Sequence, residues 1–376
     1  MKRVYFLLSG VFLLPLCLQL GAETKLKYAA HLSIQRQGDA TIATVDKPWA
    51  GSSATYTYVL SPKGAKRPSL AVKNALYIQT PIKSAVCLSN AYVSALSLLG
   101  EMDALSGVDS ASYIYSESAR ERVSAGKTRE VSKGLSPNLE LLMALSPEAV
   151  FTYAVGNEWD SYPKLLEAGL PVIICAEWME DSPLGRAEWI KFFGLFFGKE
   201  REAEALFEKV EKSYQNIKMS LNAKADGKRP VVLVNAPFQG AWNVSGGKSY
   251  MATLIADAGG DYLWKDDPSS GGLNLSVEAA FSAAQRATLW LNPGTTATLR
   301  ELASRDSRFS GLSVFKAGQV WNSNKRILAS GANDYYESSA FAPDLVLRDL
   351  SAIIAQAVPG AAPIRDSKLY FYQRLY

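Results

Sequence analysis

Residues 182–223 read SPLGRAEWIKFFGLFFGKEREAEALFEKVEKSYQNIKMSLNA. Ser182 offers a hydroxyl that accepts from an unpaired N–H at a helix start, and Pro183 suits the first helical position. Trp189, Ile190, Phe192, Phe193, Phe196 and Phe197 make the first segment strongly apolar, and Gly198 interrupts it. Beyond the glycine, Ala203, Leu206, Val210, Tyr214, Ile217 and Leu221 recur every three or four residues, an apolar stripe on one helix. About 23 helical residues span roughly 35 Å, the width of a small domain. Such a stripe is ordinary core packing unless its neighbours give it another task.

The neighbours do so. Before it, apolar runs predict strands at 84–89, 105–108, 149–153 and 171–176, with helices at 91–99, 139–145 and 159–168. After it, strands are predicted at 230–235, 262–264, 289–291 and 319–322, and helices at 249–258, 277–284, 297–304 and 342–357. Such alternation means parallel sheets covered on both faces. The two halves also share landmarks. Asn138-Leu139-Glu140 precedes Val150–Tyr153 much as Ser276-Val277-Glu278 precedes Leu289–Leu291, and Tyr92 and Tyr250 precede Gly100 and Gly259 at similar distances. The expected fold is α/β: two Rossmann-like lobes with parallel sheets joined by a single long helix. Residues 81–181 form the first lobe, 182–223 the linker helices and 229–376 the second lobe.

An N-terminal β-hairpin extension, 23–80, packs on the first lobe. Its strands at 27–34 and 41–45 flank Gln37-Gly38-Asp39, and Thr55–Leu60 adds another. Ahead of it, Met1-Lys2-Arg3 and the apolar run Val4–Leu20 read as an export signal, 1–22, cleaved near Ala22 to leave Glu23 in the periplasm. Cys17 offers a lipid-anchored alternative, against which stands the bulky Leu16.

Composition excludes several functions. With 376 residues, 48% hydrophobic and 20% charged, the chain is an ordinary globular one. A net charge of +4 and no basic face exclude nucleic acid as a partner. Cys87 and Cys175 lie in apolar runs and read as buried free thiols. The single histidine, His31, sits in the predicted hairpin, so neither a Ser-His-Asp system nor a His-rich metal site is available. Gly246-Gly247-Lys248-Ser249 lacks the glycine a phosphate loop needs at 242, where Trp242 stands. Glu177 with Glu180, and Asp334 with Glu337, are weak candidates for an acid–base pair.

In parallel α/β units, ligands gather at the carboxyl ends of strands. The loops there supply the candidate ligand-binding residues. The first half gives Asn90, Tyr92, Tyr113, Tyr115, Tyr153, Trp159 and Trp178. The second gives Phe238, Trp242, Lys325, Arg326, Asn333, Tyr335, Tyr336 and Glu337. Aromatic faces with a few polar groups suit a broad, partly apolar ligand.

From Ile82 onward the chain resembles the periplasmic substrate-binding proteins of ABC importers for iron–siderophore, haem and cobalamin, of the helical-backbone class III type. The resemblance rests on Ile82–Ser89, Asn138-Leu139-Glu140-Leu141-Leu142 and Gly247-Lys248-Ser249-Tyr250. Ala258-Gly259-Gly260-Asp261-Tyr262 and Pro343-Asp344-Leu345-Val346 add to it. It implies a monomeric carrier without catalysis or resident cofactor. The carrier clamps a metal chelate between its lobes and hands it to an ABC permease and its ATPase. It implies further that Glu140 and Glu278 dock on permease arginines. The ligand order is ferric siderophore, then haem, then cobalamin or another corrinoid. No residue is expected to bind bare metal, although Tyr335 or Tyr336 can ligate iron as a phenolate. The competing reading is an exported two-domain enzyme acting on a tetrapyrrole or metal chelate, chelatase-like, with Glu177 or Glu337 as base. A helical strut implies modest lobe movement on binding.

Overall fold

The computed structural model describes residues 23–24, 26–68, 72–133, 136–222, 229–357 and 368–376. The export signal, Cys17 and Ala223 lie outside these residues. Among the described residues, no helix is long and apolar enough to cross a membrane.

The first lobe is built on a parallel five-stranded sheet in the order Val172–Ile174, Ala149–Thr152, Ala85–Cys87, Leu105–Val108, Arg129–Glu130. Strands Ala85–Cys87, Ala149–Thr152 and Val172–Ile174 are short and buried on both faces, which explains their unbroken apolar runs, whereas the edge strand Arg129–Glu130 is exposed. The second lobe repeats the plan in the order Asp261–Tyr262, Val231–Val234, Leu289–Leu291, Val320–Asn322, Gln373–Arg374, with the last strand antiparallel. In each lobe the first strand lies inside the sheet and the next strands are laid on either side of it. That order leaves a crevice at the strands' carboxyl ends.

The helices between the strands carry local stop and start signals. Asn138 caps Leu139–Leu145 by accepting from Leu141 N, and Ser276 caps Val277–Ala284 by accepting from Ala279 N. Ser182 accepts from Gly185 N to start Pro183–Glu188. Ile190–Phe197 follows and ends at Gly198, whose φ of +65° is the left-handed conformation a helix end favours.

The apolar helix Ile190–Phe197 belongs to the first lobe. Phe193 and Phe196 each lie 5.2 Å from the Phe151 ring, and Phe192 packs on Tyr58. Glu200–Asn222 then runs from one core to the other. Ala203 and Phe207 are buried in the first, Tyr214 in the second, and Val210 packs against both. The strut has a companion that the sequence did not separate from the second lobe. Helix Pro343–Gln356 lies along it, and Ala340 and Phe341, just before that helix, are buried in the first core.

The N-terminal extension is larger than a hairpin. It is a five-stranded sheet in which Glu23–Thr24, Leu32–Gln37, Ala40–Asp46 and Thr55–Pro62 are antiparallel and Leu76–Thr80 joins parallel to Thr55–Pro62. The fifth strand pairs across a long connection, so local alternation could not reveal it. One face buries Leu32, Ile34, Ala43, Val45, Tyr58 and Leu60 in the first core. The preceding segment is fastened by two buried carboxylates. Glu188 accepts from the N–H groups of Lys27, Tyr28 and Ala29, and Glu180 accepts from those of Ala30 and His31. His31 itself faces Asp46 O at 3.0 Å from Nδ1, a structural position. Cys87 and Cys175 are buried free thiols, and burial pushes both thiols up.

Candidate ligand cleft

Two cavities lie at the carboxyl ends of the two sheets. The first, about 220 Å³, is bounded by Cys87, Ser89, Asn90, Asp109, Ser110, Tyr113 and Tyr153 of the first lobe and by Gly331, Asn333 and Tyr336 of the second. The other, about 720 Å³, belongs to the second lobe. Asn235, Phe238, Gln239, Asn243, Met251, Asn292, Thr295, Arg305, Tyr335 and Tyr336 line it. Tyr336 borders both, so the cavities form one continuous face. Asp109 and Arg305 are the charged groups among these linings; amides, hydroxyls and rings make up much of the rest, beside small and aliphatic residues such as Val93, Ile114 and Met251. Such a surface suits a bulky ligand with its own hydrogen-bonding periphery.

Local chemistry fixes the loop carrying Tyr336. Asn333 Oδ1 accepts from Tyr335 N, which starts the short helix Asp334–Ser338, and its Nδ2 donates to Ser323 O. Asp334 pairs with Arg326 at 2.6 Å. Glu337 then crosses to the first lobe, where its carboxylate accepts from Tyr115 N and Ser116 N at 2.6 and 3.0 Å. Those donors open helix Glu117–Ser124, a place that favours an anion. Held in this way, Tyr336 still has 63% of its surface exposed.

Burial nevertheless pushes the Glu337 carboxyl up to about 7, against the pull of its two N–H donors. A carboxyl whose folded pKa exceeds its unfolded value binds more protons when folded. Its contribution to stability is full below about pH 4.5 and is lost as pH rises through about 7, up to about 3 kcal/mol in all. Urea midpoints measured across this window should therefore fall more steeply in the wild type than in Glu337→Gln. Parallel slopes would show that the carboxyl does not titrate there.

The structure brings together Asn90, Tyr113, Tyr153, Phe238, Asn333, Tyr335 and Tyr336 on this face. Other candidates are engaged elsewhere. Tyr92 and Trp242 are 1% and 0% exposed. The indole of Trp242 donates to Val234 O, because Ala241–Ser245 is a strand rather than a loop. Trp178 lies in a short 3₁₀ turn and lines neither cavity. Lys325 Nζ donates to Leu369 O. The Arg326 guanidinium lies over the rings of Tyr115 and Tyr370, which ties Tyr115 into the junction. Glu337 spends its carboxylate on the N–H groups of Tyr115 and Ser116 across the cleft. Glu180, weighed above as half of an acid–base pair, holds the N-terminal segment, and Glu177 is buried and lines neither cavity. Trp159 is 78% exposed but stands outside both cavities, because 153–161 is a loop and the helix begins only at Tyr162.

Sequence reasoning missed Asp109, Asn292 and Arg305. Asp109 and Asn292 are the first residues beyond strands Leu105–Val108 and Leu289–Leu291, so taking the position next to each strand end would have found them. Asn235 and Asn292 even share a left-handed backbone, φ +59° and +56°, which asparagine tolerates. Arg305 ends helix Leu299–Arg305 and reaches the cavity only through the fold, where it donates to Thr295 Oγ1 at 2.7 Å. Among the described residues, no group of three or more His, Cys, Asp or Glu side chains is placed to hold a metal ion.

A family model described as periplasmic binding protein matches residues 85–325. Two uncharacterized lipoproteins of Methanocaldococcus jannaschii are similar to the chain. One is 28% identical over 244 residues, 64% of this chain and 56% of its own length. The other is 25% identical over 331 residues, 85% of this chain and 80% of its own length. The match therefore spans little more than half of the first. Among solved structures, a periplasmic binding protein from Veillonella parvula superposes with a TM-score of 0.56 at 14% identity, covering 85% of this chain and 99% of that one. A periplasmic heme binding protein from Pseudomonas aeruginosa gives 0.55 at 18%, covering 78% and 98%. The periplasmic vitamin B12 binding protein of Vibrio cholerae gives 0.52 at 13%, covering 74% and 99%. These likenesses concern the fold.

Proposed function

Since the chain belongs to the periplasmic binding protein family, we propose that it captures a metal chelate between its lobes outside the cytoplasmic membrane and delivers it to an ABC permease. The observation that carries this reading is the face shared by the two cavities, with Tyr336 at their meeting point. A face of rings, amides, hydroxyls and small apolar groups with one cation and one carboxylate suits a metal already wrapped in an organic shell. Ferric siderophore stands first, then haem, then a corrinoid. The similar solved structures include proteins named for heme and vitamin B12, which supports that class of ligand. Glu140 and Glu278 are the proposed contacts with the permease.

Titration of the purified protein with ferrichrome, haemin and cyanocobalamin, followed by tryptophan fluorescence and visible absorption, tests the reading. One of the three should bind stoichiometrically without turnover. Tyr336→Ala should weaken that binding about tenfold, the loss of a well-placed aromatic contact. Unchanged affinity would remove Tyr336 from the site, and no binding of any probe would count against a chelate carrier. We also propose export with cleavage near Ala22. The relatives named as lipoproteins favour testing Cys17 directly. Mass spectrometry of the mature protein separates a Glu23 terminus from an acylated Cys17.

A further inference from the structure

The family match begins at residue 85, yet a whole sheet precedes it. One loop of that sheet, 47–54, closes through Lys47 N to Ala54 O and Ser52 N to Trp49 O, and carries Trp49 to the first lobe. There the indole lies under Gly156. A Cβ built on Gly156 would stand 2.3 Å from Trp49 Cδ1, and the glycine has a φ of +82°. Both space and backbone thus require glycine at this point. The same indole packs on Tyr162 with ring centres 5.8 Å apart, and Tyr56 of the N-terminal sheet meets Tyr162 edge-on at 6.1 Å.

The supported segment is the loop 153–161, which leaves strand Ala149–Thr152 at its carboxyl end. Its first residue, Tyr153, lines the first cavity, and Val155 and Trp159 are exposed beyond it. Within the loop, the Asp160 carboxylate accepts from Val155 N and Gly156 N at 2.8 Å each, and Asn157 Oδ1 accepts from Trp159 N. These bonds close the loop on itself. Trp49 is what meets it from below.

We propose that Trp49 is a positioning residue for ligand recognition: the N-terminal sheet holds loop 153–161 so that Tyr153, at the edge of the first cavity, is presented to the ligand already ordered. The proposal rests on the cleft being the ligand site. It gives the extension a functional task beyond covering the first core. Preordering matters because a binding loop that must be fixed on ligand arrival loses that ordering cost from its affinity.

Hydrogen exchange and titration on the full mature chain test it. In Trp49→Ala, peptides covering 153–161 should exchange faster without ligand, while those covering strands Ala85–Cys87 and Leu105–Val108 keep their protection. Affinity for whichever of ferrichrome, haemin or cyanocobalamin the wild type binds should fall about three- to tenfold, the cost of ordering one or two side chains afresh. Trp49→Phe should restore most of it. Gly156→Ala, whose Cβ would collide with the Trp49 indole, should reproduce the loss. Unchanged exchange at 153–161 in Trp49→Ala overturns the positioning role whether or not a probe binds. Faster exchange with unchanged affinity overturns the role in recognition. A wild type that binds none of the probes defeats the proposed carrier function, and with it this use of the loop.

Discussion

Replacing Glu188 with alanine should destabilise the protein by about 3–5 kcal/mol, the range for removing one side of a buried, hydrogen-bonded charge. Glu188 has no exposed surface. Its carboxylate accepts from Lys27 N at 2.9 Å, Tyr28 N at 2.7 Å and Ala29 N at 2.9 Å, and from Lys191 Nζ at 3.1 Å. Alanine removes every one of those acceptors and leaves three successive backbone donors without the oxygen that held them. Lys191 retains Glu204 at 3.0 Å, so the damage concentrates on the N-terminal segment. Urea denaturation gives the magnitude, and limited proteolysis should show early cleavage around 26–31. A loss under about 1 kcal/mol would mean that the segment finds other acceptors at little cost. Glu180 continues the same clamp with Ala30, His31 and the Trp189 indole, so the two carboxylates together bind five consecutive N–H groups to the start of the linker. The N-terminal sheet is thereby fixed to the helices that join the lobes.

The double variant Glu140→Ala, Glu278→Ala should lose more than tenfold in uptake through the cognate permease while its ligand affinity stays within about twofold. The expectation rests on proposed docking and on matched placement. Each glutamate is the second residue after an N-cap, Asn138 in one lobe and Ser276 in the other. Each of those helices leads into a strand beside the first strand of its sheet, Ala149–Thr152 and Leu289–Leu291. Glu278 is 78% exposed, with Arg308 3.9 Å away, and Glu140 is also exposed. Exposed first-turn carboxylates do little for stability, so their loss should leave the fold intact. An arginine left unpaired in a closed interface costs far more, about 2–5 kcal/mol. Uptake in cells whose only copy is the double variant decides the matter. Normal uptake would reduce both residues to ordinary helix-start acids.

Much of the architecture was legible because it is written locally. Helices Leu139–Leu145 and Val277–Ala284 and strands Leu105–Val108 and Leu289–Leu291 occur where period and caps predict them. The break at Gly198 and the stripe beyond it likewise locate the interlobe helix. The aromatic loops pointed to the right ends of the sheets, but not to the right rings. Trp242 and Tyr92 have the composition of ligand contacts and the positions of core residues. Only packing on Phe309 and Trp290, or on Phe193, distinguishes the two.

The amino-acid sequence by itself determined the alternation of strands and helices, the two-lobed plan and the long connecting helix, because hydrophobic period and capping act over a few residues. Tertiary structure alone decided which side chains face the cleft, where Arg305 reaches, how Glu337 and Glu188 are spent, and what Trp49 supports. Each of those depends on groups far apart in the chain. Glu188 and Lys27 are 161 residues apart, and Glu337 and Tyr115 are 222 apart. No local pattern encodes such a meeting; it exists only once burial of the two cores has brought the segments together.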